Sequence, residues 1–446
     1  MKETEMKPVL DARTLGTPKM LVLGLQHMFA MFGATVLVPA ITGLSVSATL
    51  LFAGLGTLLF HLLTKRKVPA FLGSSFAFLA AYTTIAPGGE PELLPYACFG
   101  VACAGLLYLV ISALFKAFGA NKVMRFFPPI VTGPIIIAIG LCLSGWALSC
   151  CAQNWGIALV AIVVVIVCNI WGRGMVKIIP ILLGIIASYG VAAVTNNVDF
   201  TAVQEAAWFG LPFQWSNTVF SIFQNPDVSL LITAAITIVP ISIATIMEHI
   251  GDMSAISSTV GDNFIEDPGL HRSLLGDGLA TIAASLFGAP ANTTYGENTG
   301  VLNLTRVYDP RVIRLAAVFA IILSFSPKFA AVIEAMPQAT LGGVSLILYG
   351  MISAVGVRNV VENQVDFTKS RNVIIAALIL VLAVGIKYGT GSDEAIVFAL
   401  GSITIKLSGI ATAALVGIAL NAVLPGNDYQ FGKTANSDAS ADLGRY

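Results

Sequence analysis

Glu248 and Glu297 are carboxylates set inside apolar stretches of a chain that otherwise keeps most of its charges at segment ends. An ionisable side chain within a membrane span is costly and by default marks a substrate or ion path. Glu297 stands in Asn292-Thr293-Thr294-Tyr295-Gly296-Glu297-Asn298-Thr299, a run too polar and too rich in Gly and Thr for a lipid-facing helix. Gly296 allows backbone to approach a ligand closely, and Glu297 opens an apolar half-helix, where the dipole favours an anion. The bland alternative is a capping glutamate with no ligand role. Glu248 has Asp252 four residues on, one turn away on the same helical face. Two carboxyls this close in apolar surroundings are suited to hold and release a proton, since adjacent charges away from water repel and are poorly solvated. The alternative there is a solvated pair at the inner membrane edge. Asp277, among small residues, reads as a packing or interhelical polar residue. Glu334, beside Met336-Pro337, reads as a loop or interfacial one.

The elements that must position these residues are membrane spans. A composition 56% hydrophobic and 11% charged is that of a polytopic membrane protein. A net charge of zero gives no reason to expect a nucleic-acid partner. Cys98, Cys103, Cys142, Cys150, Cys151 and Cys168 all fall in or beside apolar segments and read as small buried hydrophobes. The histidines are too scattered to build a metal site with them, and no metal or cofactor is expected. The first eighteen residues mix Lys2, Glu3, Glu5, Lys7, Asp11 and Arg13 without an apolar core, so no cleavable signal peptide is expected.

Apolar stretches recur from Lys19 to Pro425 and give about fourteen crossings, several broken by Pro or Gly. With an even number and both termini inside, every Lys and Arg except Lys328, Lys387 and Lys406 falls on the cytoplasmic side. Segment 194–228 has no Lys or Arg but carries Trp208, Phe209, Phe213, Trp215, Phe220 and Phe223, which suits the outer interface. Two halves share a plan: Pro69-Ala70-Phe71-Leu72-Gly73-Ser74-Ser75-Phe76 faces Pro290-Ala291-Asn292-Thr293-Thr294-Tyr295-Gly296-Glu297 about half a chain later. Each reads as a short extended piece leading into a half-helix, a backbone tolerated at membrane depth only when it is buried in protein or lines a cavity. Two half-helix N-termini meeting near the membrane centre aim free N–H groups at one spot, fit for a ligand rich in carbonyl oxygens.

Several motifs carry a family resemblance. Gln26-His27-Met28-Phe29-Ala30-Met31-Phe32-Gly33-Ala34-Thr35, Gly73-Ser74-Ser75-Phe76-Ala77-Phe78, Glu248-His249-Ile250-Gly251 and Asp267-Pro268-Gly269-Leu270-His271-Arg272 resemble the bacterial uracil permeases of the nucleobase–ascorbate transporter family. So do Glu297-Asn298-x-Gly300 with Thr305-Arg306, Gly342-Gly343-Val344-Ser345 and Leu348-Tyr349-Gly350. An acid at Glu297 points to the uracil branch, because the purine transporters usually carry an amide-type residue there. The resemblance runs from about Leu21 to Asn372. It implies an all-helical membrane fold of about fourteen spans in a seven-plus-seven inverted repeat. A core domain would take 19–119 and 229–325, and a gate domain 120–228 and 326–424. Residues 1–18 would form a cytoplasmic N-terminal segment, and 425–446 a disordered cytoplasmic tail.

The resemblance further implies uracil:proton symport into the cell across the inner (plasma) membrane, the core moving against the gate, in a homodimer. Carried over residue by residue, uracil would meet the side chains of Glu248 and Glu297 and the backbone N–H groups of Phe76 and Gly296. Tyr295 and Tyr349 would line the pocket, and Phe76 would also pack on the ring. Uracil permeases can carry histidine where Asp252 stands, so the proton relay shared by Glu248 and Asp252 is not copied unchanged. Uracil's alternating donors and acceptors match two carboxylates and two amides independently of the resemblance. The alternatives are the same architecture carrying xanthine, urate or another pyrimidine, an anion carrier, or a passive channel. No Lys or Arg stands near either half-helix start, which disfavours the anion. An intramembrane aspartyl protease is disfavoured too, because Leu274 stands where the Gly before Gly276-Asp277 would be and Asp309 adjoins Pro310.

Overall fold

The computed structural model describes residues 8–391, 394–400 and 403–426. Past Gly426, the tail expected to be disordered lies outside the described residues. Among the described residues seven helices are long and apolar enough to cross a bilayer: Thr17–Thr42, Val46–Leu63, Leu94–Phe118, Pro129–Gln153, the interrupted Val228–Val260, Gln338–Glu362 and Ser370–Gly389. An eighth is counted if Pro310–Ser324 and Pro327–Glu334, bent by 88°, form one broken span. Trp155–Trp171, Pro180–Val194 and Gly409–Val423 are shorter apolar helices. Trp155–Trp171 shows how such a helix meets lipid. Leu159, Val163, Ile166, Val167 and Ile170 are exposed along it, with an exposed Trp at each end, an apolar face framed by interfacial aromatics. The chain is a multi-pass, mainly helical membrane protein.

The helices pack in two groups. In one, Thr17–Thr42 and Val46–Leu63 lie on Pro310–Ser324, while Leu270–Leu286 contacts Val46–Leu63 and Leu94–Phe118. In the other, Gln338–Glu362 lies on Pro129–Gln153 and Trp155–Trp171, and Ser370–Gly389 lies on Pro129–Gln153 and Gly409–Val423. Small residues set the closest crossings, as expected where helices associate without a hydrophobic drive from water. A Cβ on Gly105 would stand 3.1 Å from Gly278 O, and one on Gly356 would stand 2.7 Å from Gly133 O.

Between these helices lie two short strands, β1 (Leu72–Ser74) and β2 (Asn292–Thr294), paired antiparallel with Gly73 opposite Thr293. Each leads into a short helix, Leu79–Ile85 after β1 and Gly296–Thr305 after β2, as the sequence predicts. The pairing joins the two halves of the chain, and backbone bonds Ser75 N–H to Ala291 O (2.8 Å) and Tyr295 N–H to Phe71 O (3.0 Å) extend it. A second strand pair departs from the all-helical layout expected over 326–424. Here β3 (Ala395–Leu400) and β4 (Ile403–Ser408) are antiparallel. Ile396 and Val397 are β-branched, a side-chain type that a strand accommodates.

Candidate substrate-binding site

The strands are held by side chains from neighbouring helices, in the same way on both sides. The Thr57 hydroxyl accepts from Leu72 N–H (2.9 Å) and donates to Leu72 O (3.3 Å). The Thr281 hydroxyl accepts from Asn292 N–H (3.2 Å) and donates to Asn292 O (3.1 Å). Asn292 Nδ2 donates to Phe52 O (3.1 Å), and the Tyr295 hydroxyl donates to Ser74 O (2.8 Å). Buried strand backbone must find such partners. Gly73 is required where it stands, because a Cβ there would lie 2.5 Å from the Tyr295 ring.

The same bonds leave specific donors unused. Helix Gly296–Thr305 begins after Tyr295 with no side-chain cap, and helix Leu79–Ile85 begins after Phe78 likewise. Among the described residues the amides of Phe76, Ala77, Phe78 and Gly296 have no hydrogen-bond partner. Gly296 is exposed although it directly follows the buried β2 and Tyr295, and a Cβ built on it would meet nothing within 4 Å. Glu248, Asp252 and Glu297 are each only partly covered, yet each is surrounded by protein. A partly accessible group in the interior lines a recess.

The recess gathers most of the residues named from sequence. Glu248 lies within electrostatic reach of Glu297 and Asp277. Asp252 is within reach of Glu248, His249 and Glu297. Among the described residues no Lys or Arg forms an ion pair with any of these four carboxyls. Tyr295 is buried, with its hydroxyl also 3.4 Å from Thr35 Oγ1. Phe76 is half-buried against the large apolar core that contains Tyr295 and Tyr349. Tyr349 comes from Gln338–Glu362 in the other helix group and is buried.

Four contacts were not foreseen. The Thr294 hydroxyl donates to Asp252 Oδ2 at 2.6 Å, tying the second strand to the helix that bears Glu248. His249 Nδ1 stands 3.1 Å from Asp277 Oδ2 with both side chains fully buried, a polar contact between helices of the kind expected for Asp277. Asn298 Nδ2 donates to His27 O at 3.0 Å and lies 3.2 Å from His27 Nδ1. The Tyr108 hydroxyl donates to Thr245 Oγ1, one turn before Glu248. The signals were present as Glu248-His249 in an apolar stretch and Glu297-Asn298 in a polar run between apolar ones; the partners are distant in sequence and carry no such mark. Glu334 is exposed at the end of its helix.

Residues 18–391 match the Permease family. The chain is 41% identical over 430 residues to the uracil permease of Bacillus caldolyticus, covering 94% of this chain and 95% of that one. It is 40% identical over 437 residues to the uracil permease of Bacillus subtilis (strain 168), covering 95% and 96%. Among solved structures, the transmembrane domain of a cyanobacterium bicarbonate transporter, BicA, is similar with a TM-score of 0.57 and 16% identity, over 94% of this chain and 100% of that one. That likeness is one of fold alone. Carried by a match over nearly the whole span region and by full-length relatives, the conclusion is that the chain belongs to the permease family that holds the bacterial uracil permeases, the nucleobase–ascorbate transporters.

Proposed function

We propose that this chain carries uracil into the cell together with a proton. The observation that carries the reading is the pair of free amides, Phe76 and Gly296, in a recess that also holds Glu248 and Glu297. Uracil's two carbonyls accept from the amides, and its two ring N–H groups donate to the carboxylates. Phe76 packs on the ring, and Tyr295 and Tyr349 close the pocket with flat apolar surface. The names of the relatives, uracil permeases, support the substrate. A permease moves its solute rather than converting it, and no cofactor enters the scheme.

Proton coupling is supported by the carboxyl cluster. Glu248, Asp252, Asp277 and Glu297 lie near one another with no Lys or Arg ion-paired to them among the described residues, so a proton is the available counter-charge. Asp252, held by Thr294, exchanges that proton with Glu248 as substrate arrives and leaves. The architecture proposed is about fourteen crossings in an inverted repeat, counting the strand-led, short and broken elements as spans. Its support is the matching clamps of Thr57 on β1 and Thr281 on β2. The two helix groups act as core and gate, the core moving against the gate to open the recess to each side in turn.

Both termini face the cytoplasm, in the inner (plasma) membrane. Support comes from Lys328, one of three basic residues assigned outside, which stands 5.1 Å above the Trp208 ring in the aromatic segment assigned there. Pairing of two copies is proposed on the family resemblance. The test is uptake of labelled uracil by proteoliposomes under an inward proton gradient. Accumulation that collapses with a protonophore is expected. Uptake that only equilibrates, or that ignores the pH gradient, overturns symport. Binding that xanthine displaces more readily than uracil overturns the substrate.

A further inference from the structure

A groove of about 570 Å³ lies apart from the carboxyl recess, at the end of Thr17–Thr42 where residues 8–16 cross the chain. Those residues are strapped down. Val9 pairs with Val307 through Val9 N–H to Arg306 O (2.9 Å) and Tyr308 N–H to Val9 O (2.9 Å). Ala12 N–H donates to the buried Asp309 Oδ2 (2.8 Å). The groove has Val9 and Leu15 of the strap on one wall, Val22 and Leu23 of the long helix on another, and Val307 beyond the end of helix Gly296–Thr305. Its lining is mostly apolar, and Lys19 stands in it. Arg306 sits between Thr305 and Val307, both of which line it. Lys19 and Arg306 are exposed, and among the described residues neither has an acidic partner within ion-pair distance.

An apolar trough with Lys19 in its lining and Arg306 between two lining residues fits an amphiphilic anion. The surroundings say which one. Leu21, Val22, Leu25 and Phe29 are exposed at helical spacing along Thr17–Thr42, the kind of stripe that faces acyl chains, and the groove opens at its end. Val22 belongs both to that stripe and to the groove wall, so the apolar surface is continuous between them. We propose that this groove binds an acidic phospholipid, its phosphate on Lys19 and Arg306 and an acyl chain along Val9, Leu15 and Val22. Because Thr305 ends the half-helix that bears Glu297 and Val307 lies just beyond it, a bound lipid also braces that half-helix against the strap.

The test uses the full chain in neutral detergent, with phosphatidylglycerol or phosphatidylcholine of identical chains added, and reads lipid retained by native mass spectrometry together with the melting temperature. Phosphatidylglycerol is expected to be retained and to raise the melting temperature more than phosphatidylcholine does. Replacing both cations (Lys19→Glu with Arg306→Glu, or the milder Lys19→Gln with Arg306→Gln) should weaken retention at least about tenfold, since each basic residue near a membrane surface contributes about 1 kcal/mol toward acidic lipid. Val22→Trp fills the trough with both charges intact and should weaken retention comparably. Equal response of the wild-type chain to the two lipids overturns the proposal. So does phosphatidylglycerol retention unchanged by the charge variants. Retention that survives Val22→Trp also overturns it, leaving only general attraction to a basic surface.

Discussion

Two glycines within the same site should respond oppositely to one added methyl. At Gly73 the new Cβ would stand 2.5 Å from Tyr295 Cζ, 2.6 Å from Cε2 and 2.7 Å from Thr35 Oγ1. Carbon atoms pack best at about 3.5–4.0 Å, so ring or strand must move by roughly an ångström. Overpacking of that kind costs about 1–3 kcal/mol. Movement of the ring also breaks the Tyr295 hydroxyl bond to Ser74 O, which contributes about 1 kcal/mol more. Gly73→Ala is therefore expected to destabilise the chain by about 2–4 kcal/mol and to lower its melting temperature in detergent by several degrees. At Gly296 the methyl meets no atom within 4 Å, and the first position of a helix accepts Ala. Gly296→Ala should leave the melting temperature unchanged while its methyl occupies the space a uracil carbonyl needs beside the Gly296 amide. Loss of binding by at least about tenfold, or about 1.4 kcal/mol, is expected in isothermal titration with uracil. Wild-type melting in Gly73→Ala would refute the packing argument, and wild-type uracil affinity in Gly296→Ala would remove that amide from the site.

The remaining predictions follow from the same geometry. Glu297→Gln should weaken uracil binding about 10- to 100-fold, the worth of a charge-assisted hydrogen bond, with Glu297→Ala weaker still; unchanged affinity in both removes Glu297 from recognition. Asp252→Asn should spare uracil exchange at equal pH more than accumulation driven by a pH gradient, and unchanged pH dependence would reduce Asp252 to a structural partner of Thr294. Asp309→Ala strips Ala12 N–H of its buried acceptor and Arg311 N–H of its cap, so a loss of about 1–3 kcal/mol and faster tryptic cleavage at Arg13 are expected. Asp11, on the same strap, is held at about 2 by its hydrogen bonds to Arg13, below its ordinary 3.8. Its contribution is thus complete above about pH 4 and is lost as pH falls through about 2, so cleavage of the strap by an acid protease should rise only in that window. All six cysteines are free, so a cysteine-free background breaks no disulfide. On that background, Asn196→Cys and Ser216→Cys should react with a membrane-impermeant reagent from outside the cell, and reaction only from the cytoplasmic side would invert the topology.

Periodicity and composition determined a good deal. Long apolar runs must become helices in lipid, because only internal hydrogen bonding satisfies their backbone there, and the long spans from Thr17–Thr42 to Ser370–Gly389 follow from that. The two Pro-Ala runs were legible as extended pieces before half-helices because each places Pro-Ala and small or polar residues between apolar stretches, about half a chain apart. Glu248 and Glu297 stood out because a charge inside such a stretch needs a reason. What the sequence did not determine is which distant groups meet. The pairing of Asp252 with Thr294, of His249 with Asp277 and of Asn298 with His27 depends on how helices cross, and crossings are set by small residues whose fit is invisible until both surfaces are present. The β3–β4 hairpin was likewise hidden, since β-branched residues in an apolar run suit a membrane helix or a strand and only tertiary packing selects one. The free amides of Phe76 and Gly296 are the sharpest case. The family resemblance named them, but that they stay unpaired is decided by every neighbouring hydrogen bond going elsewhere, a property of the assembled fold.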